Sequence, residues 1–226
     1  MPEAIRLAVF DCDGTLVDSQ HSIIAAMHAA FDRRGVPRAT DEAIRRVVGL
    51  PLFDAISVLA PDCSPDMIEI MRGDYSTAWQ EMRSQGGLDE PLYPGTVEVL
   101  DQLADADWLL GVATGKSHRG LVGTLEKHDV LDRFITLQTA DRARGKPHPE
   151  MLFNAMNEAG AEASHTAMIG DTTFDMEMAH HAGVMAIGVA WGYHDVGELE
   201  QAGAKAIISG FGELAGILQR MTEDEL

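Results

Sequence analysis

The stretch Asp11-Cys12-Asp13-Gly14-Thr15-Leu16-Val17-Asp18 sets two carboxylates one residue apart, directly after an apolar run at 5–10. Carboxylates are costly beside a core unless paired or metal-bound. The carboxyl ends of strands in open parallel sheets are where ligands bind. A lone Asp-x-Asp suits an ordinary loop, but this context points to chemistry. Three more fragments sit at corresponding places. Val112-Ala113-Thr114-Gly115 can offer a hydroxyl and a backbone N–H to a phosphate. Gly145-Lys146-Pro147-His148-Pro149 puts a lysine just ahead of a helix, and Met168-Ile169-Gly170-Asp171-Thr172-Thr173-Phe174-Asp175 ends a strand with two acids four residues apart. Each has a plain alternative: a helix cap for Thr114, a solvated charge for Lys146, helix-dipole acids for Asp171 and Asp175.

The elements that must carry these residues alternate. Runs at 5–10, 108–113, 134–138, 166–169, 184–189 and 206–208 read as strands. Helical periods fall at 95–106, 117–128, 149–159, 173–182, 196–202 and 211–220. Strands alternating with helices imply crossover units and an α/β fold, a doubly wound, mainly parallel sheet. Residues 18–90 break the rhythm with helical segments at 20–34, 41–48, 51–60 and 65–84, where Ser64-Pro65 forms a helix start. That is too long for one crossover helix. It predicts an all-helical cap domain at 18–90 inserted in a catalytic core of residues 1–17 and 91–226. The return crossing carries Gln85-Gly86-Gly87 and Pro91 to Pro94, residues that suit a hinge.

Composition excludes some partners. The net charge of −19 argues against nucleic acid and anionic membranes. An acidic chain can still bind phosphate if a metal or local donors reverse the potential. Two cysteines make no disulfide framework, the amino terminus has no signal-peptide pattern, and no apolar run reaches a membrane span, so the expectation is a soluble cytoplasmic protein. Oligomeric state has no signal in the sequence.

Taken together, the four fragments resemble the motif set of the haloacid dehalogenase superfamily, in particular its phosphatases with a helical cap after the first strand. Trp191-Gly192-Tyr193, Ala202-Gly203-Ala204 and Gly49-Leu50-Pro51-Leu52 are most similar to phosphoglycolate phosphatases. The resemblance implies a Rossmann-like core and Mg²⁺-dependent hydrolysis of a small phosphorylated metabolite. Asp11 would be the nucleophile, forming an aspartyl-phosphate, and Asp13 the general acid and base. Thr114, Gly115 and Lys146 would hold the phosphate. Mg²⁺ would take Asp11, Asp171 and the main-chain carbonyl of Asp13, with Asp175 orienting a metal water or Lys146.

Alternatives narrow unevenly. A phospho-accepting receiver module needs no second acid such as Asp13 and no insert after its first strand. Halide displacement needs neither Asp13 nor metal. Phosphonate hydrolysis in this family uses a cap lysine, and residues 18–90 contain none. A sugar phosphomutase or a pyrophosphatase of the same superfamily is not separated by these motifs. Arg45 and Arg46 either reach a substrate anion or form a solvated face. Cys12, between two acids, reads as packing. His180-His181 reads as partly exposed, Met176 and Met178 as helix-to-sheet packing, and residues 222–226 as a frayed acidic tail.

Overall fold

A computed structural model describes residues 4–87 and 90–223. Six strands run in chain order: β1 Arg6–Phe10, β2 Trp108–Thr114, β3 Thr136–Thr139, β4 Thr166–Gly170, β5 Met185–Val189 and β6 Ala206–Ile208. They form one parallel sheet in the order β3-β2-β1-β4-β5-β6. The first strand is therefore central, paired with β2 on one edge (Phe10 opposite Val112) and β4 on the other (Phe10 opposite Ile169).

Side chains alternate across each strand, so β1 feeds both faces. Ala8 and Phe10 join one buried cluster with α5 (Thr96–Asp105), α6 (His118–Lys127) and α10 (Leu214–Glu223). Leu7 and Val9 join the other, with α7 (Glu150–Ala159), α8 (Thr173–Ala182) and α9 (Val196–Gln201). Met176 and Met178 lie fully buried in that second cluster. The doubly wound α/β sheet expected from the sequence is the one observed.

Between β1 and β2 lie α1 (Gln20–Arg34), α2 (Asp41–Arg46), α3 (Leu52–Leu59) and α4 (Pro65–Ser84). They share a cluster of their own around Met27, Phe31, Ile44, Ile56 and Met71. Ser64 caps α4, accepting the Met67 N–H at 3.3 Å ahead of Pro65, and Thr40 caps α2 in the same way. Gly35 ends α1 in the left-handed region. The two chain crossings pair side by side. The Asp18 N–H donates to Pro91 O at 2.8 Å and the Tyr93 N–H to Leu16 O at 3.0 Å.

Some boundaries differ from the sequence-based expectation. The third strand begins at Thr136, because Phe134 ends a tight turn at Leu131–Arg133 and buries its ring under the sheet edge. The segment expected as 41–48 leaves the helix after Arg46, where Val47 and Val48 turn towards Gly49 at φ +99. The last helix begins at Leu214, after a short turn at Phe211–Glu213, and runs to Glu223, so 222–223 are helical. Residues 224–226 of the expected tail, and Leu88 and Asp89 at the expected hinge, lie outside the described residues.

Candidate active site

Asp11 follows the last residue of β1, and its N–H still donates to Ile169 O of β4 at 2.9 Å. That bond continues the ladder by one residue and fixes the carboxylate at the carboxyl end of the sheet. Asp11 Oδ1 accepts the Cys12 N–H at 2.6 Å, while Oδ2 is buried without a hydrogen-bond partner. Gly14, at φ +82, makes the turn that follows, and a Cβ there would lie 2.2 Å from Asp171 Oδ2. A side chain at position 14 would therefore push the two loops apart.

Asp171 leaves β4 and is fully buried. It accepts the Thr15 hydroxyl at 2.8 Å and the Tyr193 N–H at 2.9 Å. Asp175, one turn into α8, accepts the Thr172 N–H at 3.0 Å and the Thr172 hydroxyl at 2.7 Å, a reciprocal cap. Lys146 is buried between carboxylates, its Nζ 2.9 Å from Asp11 Oδ1 and 2.6 Å from Asp175 Oδ1. Carboxylate oxygens of Asp11, Asp171 and Asp175 lie within 4.8 Å of one another.

Electrostatics follow from that crowding. Burial raises the Asp11 carboxyl to about 7, helped by Asp175 and opposed by Lys146. Burial, then Asp11 and Asp175, push Asp171 well above the ordinary carboxylate range. For Lys146 burial works against the charge, but Asp11 and Asp175 outweigh it and the ammonium is held. Full ionisation of three buried carboxyls around one ammonium is unfavourable, and a bound cation would offset it.

Asp13 stands apart from this triad. It accepts the Ser19 hydroxyl, and Lys116 Nζ lies 2.8 Å from its Oδ1. Lys116 also reaches Glu90 Oε1 at 3.5 Å, and its ammonium lies 4.7 Å from the Trp79 ring centroid. Burial opposes that charge, but Asp13, Cys12 and Glu90 raise the ammonium above its usual range. Burial also pushes the Cys12 thiol up, so the packing reading of Cys12 fits its surroundings.

Of the residues named from sequence, Asp11, Asp13, Thr114, Gly115, Lys146, Asp171 and Asp175 all sit at or just beyond the carboxyl ends of β1, β2 and β4 or in the loop before α7. Asp11, Asp13, Thr114 and Gly115 line one cavity of about 380 Å³ between α1–α4 and the sheet. The Gly49-Leu50-Pro51 loop closes against it. A Cβ on Gly115 would lie 2.8 Å from Leu50 O, and one on Gly145 would lie 2.1 Å from Pro51 Cγ. Arg46 does not face this cavity; its guanidinium forks onto Glu198 of α9, with Nη1 2.5 Å from Oε2. Arg45 does not line it either. His181 is exposed and bonds Pro147 O rather than joining an acidic cluster.

Sequence reasoning missed Lys116, Glu90 and Ser19, and it named Tyr193 without its contact to Asp171. Lys116 stood next to the Thr114-Gly115 pair, and that adjacency was the available signal. Glu90, 1% exposed yet with neither oxygen hydrogen-bonded, carried none.

The profile of the family described as "Haloacid dehalogenase-like hydrolase" matches residues 8–189. The chain belongs to that family. It is 37% identical over 214 residues to the "Probable phosphatase IndB" of Dickeya dadantii, covering 93% of this chain and 92% of the relative. It is 30% identical to the pyrophosphatase PpaX of Bacillus pumilus (83% and 84% covered) and 29% identical to the phosphoglycolate phosphatase of Vibrio parahaemolyticus (84% and 86%). The crystal structure of a hydrolase from Pseudomonas syringae superposes with a TM-score of 0.84 at 25% identity, covering 96% of this chain and 99% of that one. The protein is a haloacid dehalogenase-like phosphatase.

Proposed function

We propose that this phosphatase hydrolyses small phosphate monoesters through an aspartyl-phosphate on Asp11, with Mg²⁺ bound beside it. The observation that carries this is the unpartnered, buried Oδ2 of Asp11 at the end of the central strand, in a cavity edged by Thr114 and Gly115. Its partner oxygen is held by Lys146, so the carboxylate is oriented with one oxygen free.

In the first step Asp11 Oδ2 attacks phosphorus in line, and the bond from phosphorus to the ester oxygen breaks. Asp13 gives its proton to the departing alkoxide. In the second step water attacks the same phosphorus, Asp13 takes the water's proton, and the acyl phosphate bond to Asp11 breaks to release inorganic phosphate. Thr114, the Gly115 N–H and Lys146 hold the oxygens of the transferring group. The three crowded carboxylates fit a hard divalent ion that prefers oxygen ligands. Asp11, Asp171 and the main-chain carbonyl of Asp13 would hold it, with Asp175 positioning Lys146. When bound, Mg²⁺ supplies charge neutralisation for the phosphate and the carboxylates.

Residues 18–90 act in this scheme as a cap that shields the transfer from bulk water and selects the leaving group. The pyrophosphatase and phosphoglycolate phosphatase names of relatives support a small phosphorylated substrate, and phosphoglycolate is the first ester to test.

The test is rapid quench with an activated aryl phosphate and Mg²⁺, trapping phosphoenzyme in acid. Asp11→Asn eliminates both phosphoenzyme and turnover. Asp13→Asn still gives a burst near one equivalent, then turns over about 10² to 10⁴ more slowly, because water lacks its base. A burst from Asp11→Asn and none from Asp13→Asn reverses the roles. Wild-type turnover by both variants, or full activity in excess EDTA, overturns the site.

A further inference from the structure

Glu90 is buried without an evident reason in the fold. Its side chain is 1% exposed, yet neither oxygen accepts a hydrogen bond from the described residues. A carboxylate in that position is costly unless a cation answers it. The one cation within ion-pairing reach among the described residues is Lys116, whose Nζ lies 3.5 Å from Oε1. Apolar packing in place of a buried ion pair is often neutral or stabilising, so stability is a weak reason for this charge. The main chain on either side is tied down. His128 Nε2 lies 2.7 Å from Glu90 O, and Pro91 O accepts the Asp18 N–H at 2.8 Å. The backbone therefore delivers the Glu90 carboxylate to a fixed point behind Lys116.

Lys116 needs such a fixed point. Its main chain is anchored, with the N–H donating to Thr114 Oγ1 at 3.3 Å and the carbonyl accepting the Ala140 N–H at 3.3 Å. Its ammonium, by contrast, rides on a flexible four-carbon stem. Three groups locate it: Asp13 Oδ1 at 2.8 Å, Glu90 Oε1 at 3.5 Å and the Trp79 ring centroid at 4.7 Å. Asp13, Lys116 and Trp79 line the cavity above Asp11, and Glu90 does not. A phosphate dianion entering that cavity would draw away a lysine held by Asp13 alone. A second carboxylate, set behind the ammonium and outside the cavity, opposes that pull.

We propose that Glu90 is a positioning residue for Asp13 and acts through Lys116. It keeps the ammonium on Asp13 and off the incoming phosphate, so that the Asp13 carboxyl stays aimed at the leaving-group oxygen. Glu90 touches neither the substrate nor the reacting atoms, and its effect vanishes when Lys116 is absent. This inference rests on the reading of Asp11 as nucleophile and of Asp13 as proton donor.

The experiment follows release of the alcohol or phenol in a single turnover with Mg²⁺, for an alkyl phosphate and an activated aryl phosphate. In Glu90→Gln, which keeps the side-chain volume and removes the charge, the alkyl rate falls by roughly ten- to a hundredfold. The aryl rate falls by less than about threefold, because a phenolate leaves without a proton. Glu90→Asp, with its charge drawn back by one methylene, falls between wild type and Glu90→Gln for the alkyl ester, and it carries the same reading should Glu90→Gln not fold. In a Lys116→Met background, adding Glu90→Gln costs nothing further, because the two side chains act as one unit. The inference is overturned if Glu90→Gln releases both products like wild type, if both esters lose rate equally, or if the losses from Glu90→Gln and Lys116→Met multiply in the double variant. A wild-type enzyme that forms no phosphoenzyme from the aryl ester overturns the proposed function, and this inference with it.

Discussion

At the scale of single residues, the candidate site separates into two charge systems. Lys146 serves Asp11 and Asp175, and Lys116 serves Asp13 and Glu90. Lys116 is mostly buried, and removing one member of a buried ion pair strands the others at a cost of about 3–5 kcal/mol. Lys116→Met removes the ammonium from the Trp79 face and frees Asp13 from its 2.8 Å contact. Small displacement of a reacting group costs about a hundredfold in rate. An alkyl phosphate, whose leaving group needs a proton, should lose about that much in kcat, and an activated aryl phosphate much less in its first step. Comparing single-turnover rates for the two esters checks this. Equal losses for both would mean that Lys116 supports the fold and not Asp13.

At the scale of elements, the junction of α2, α8 and α9 contains a histidine with one consistent protonation. His194 Nδ1 accepts the Thr173 N–H at 3.1 Å, at the start of α8, so Nε2 carries the proton donated to Arg46 O at 3.2 Å. Burial, then the nearby Arg46 charge, hold the imidazole below its ordinary pKa, opposed by the hydrogen bond to Arg46 O and by Glu198 and Asp175. A histidine lowered by folding contributes stability that is complete above its unfolded value, about 6.5, and is lost as pH falls through the lower folded value. Thermal melting of wild type should therefore decline below about pH 6.5 more steeply than that of His194→Asn. Parallel declines would remove His194 from the acid response. The same junction shows where sequence reading ended. The strands and helices were legible because apolar period and the Ser64-Pro65 helix start act within a few residues. The aspartates were legible because acids after a buried strand are anomalous. Arg46 was not, since its partner Glu198 lies 152 positions away and nothing local says which way the guanidinium turns. Lys116 was missed for the same reason: its burial depends on Glu90 and Trp79, both in the region between β1 and β2.

At the scale of the whole molecule, α1–α4 hold their own apolar cluster, and their contacts to the sheet domain include the Gly49-Leu50-Pro51 loop, Arg46–Glu198 and Tyr193. If residues 18–90 are a separable cap, replacing them by a short linker leaves a folded core. That core should lose selectivity among alkyl phosphates far more than it loses hydrolysis of an activated aryl ester. An unchanged substrate profile would remove the cap from specificity. Aggregation or loss of the cooperative melt would place the domain boundary elsewhere.

The paired crossings beside Asp13 carry a consequence for how such a chain can be rebuilt. Val17 bridges Leu92 in antiparallel fashion, with hydrogen bonds from Asp18 to Pro91 and from Tyr93 to Leu16 on either side. Directly opposed residues of such a ribbon stand roughly 5 Å apart. The whole insert therefore leaves and re-enters the sheet domain through a doorway one peptide pair wide. Any unit whose own ends lie that close can be spliced there without moving a strand. On the reading of residues 18–90 as a specificity cap, the insert is an exchangeable cassette, provided that its replacement keeps the contacts of Ser19 with Asp13 and of Glu90 with Lys116.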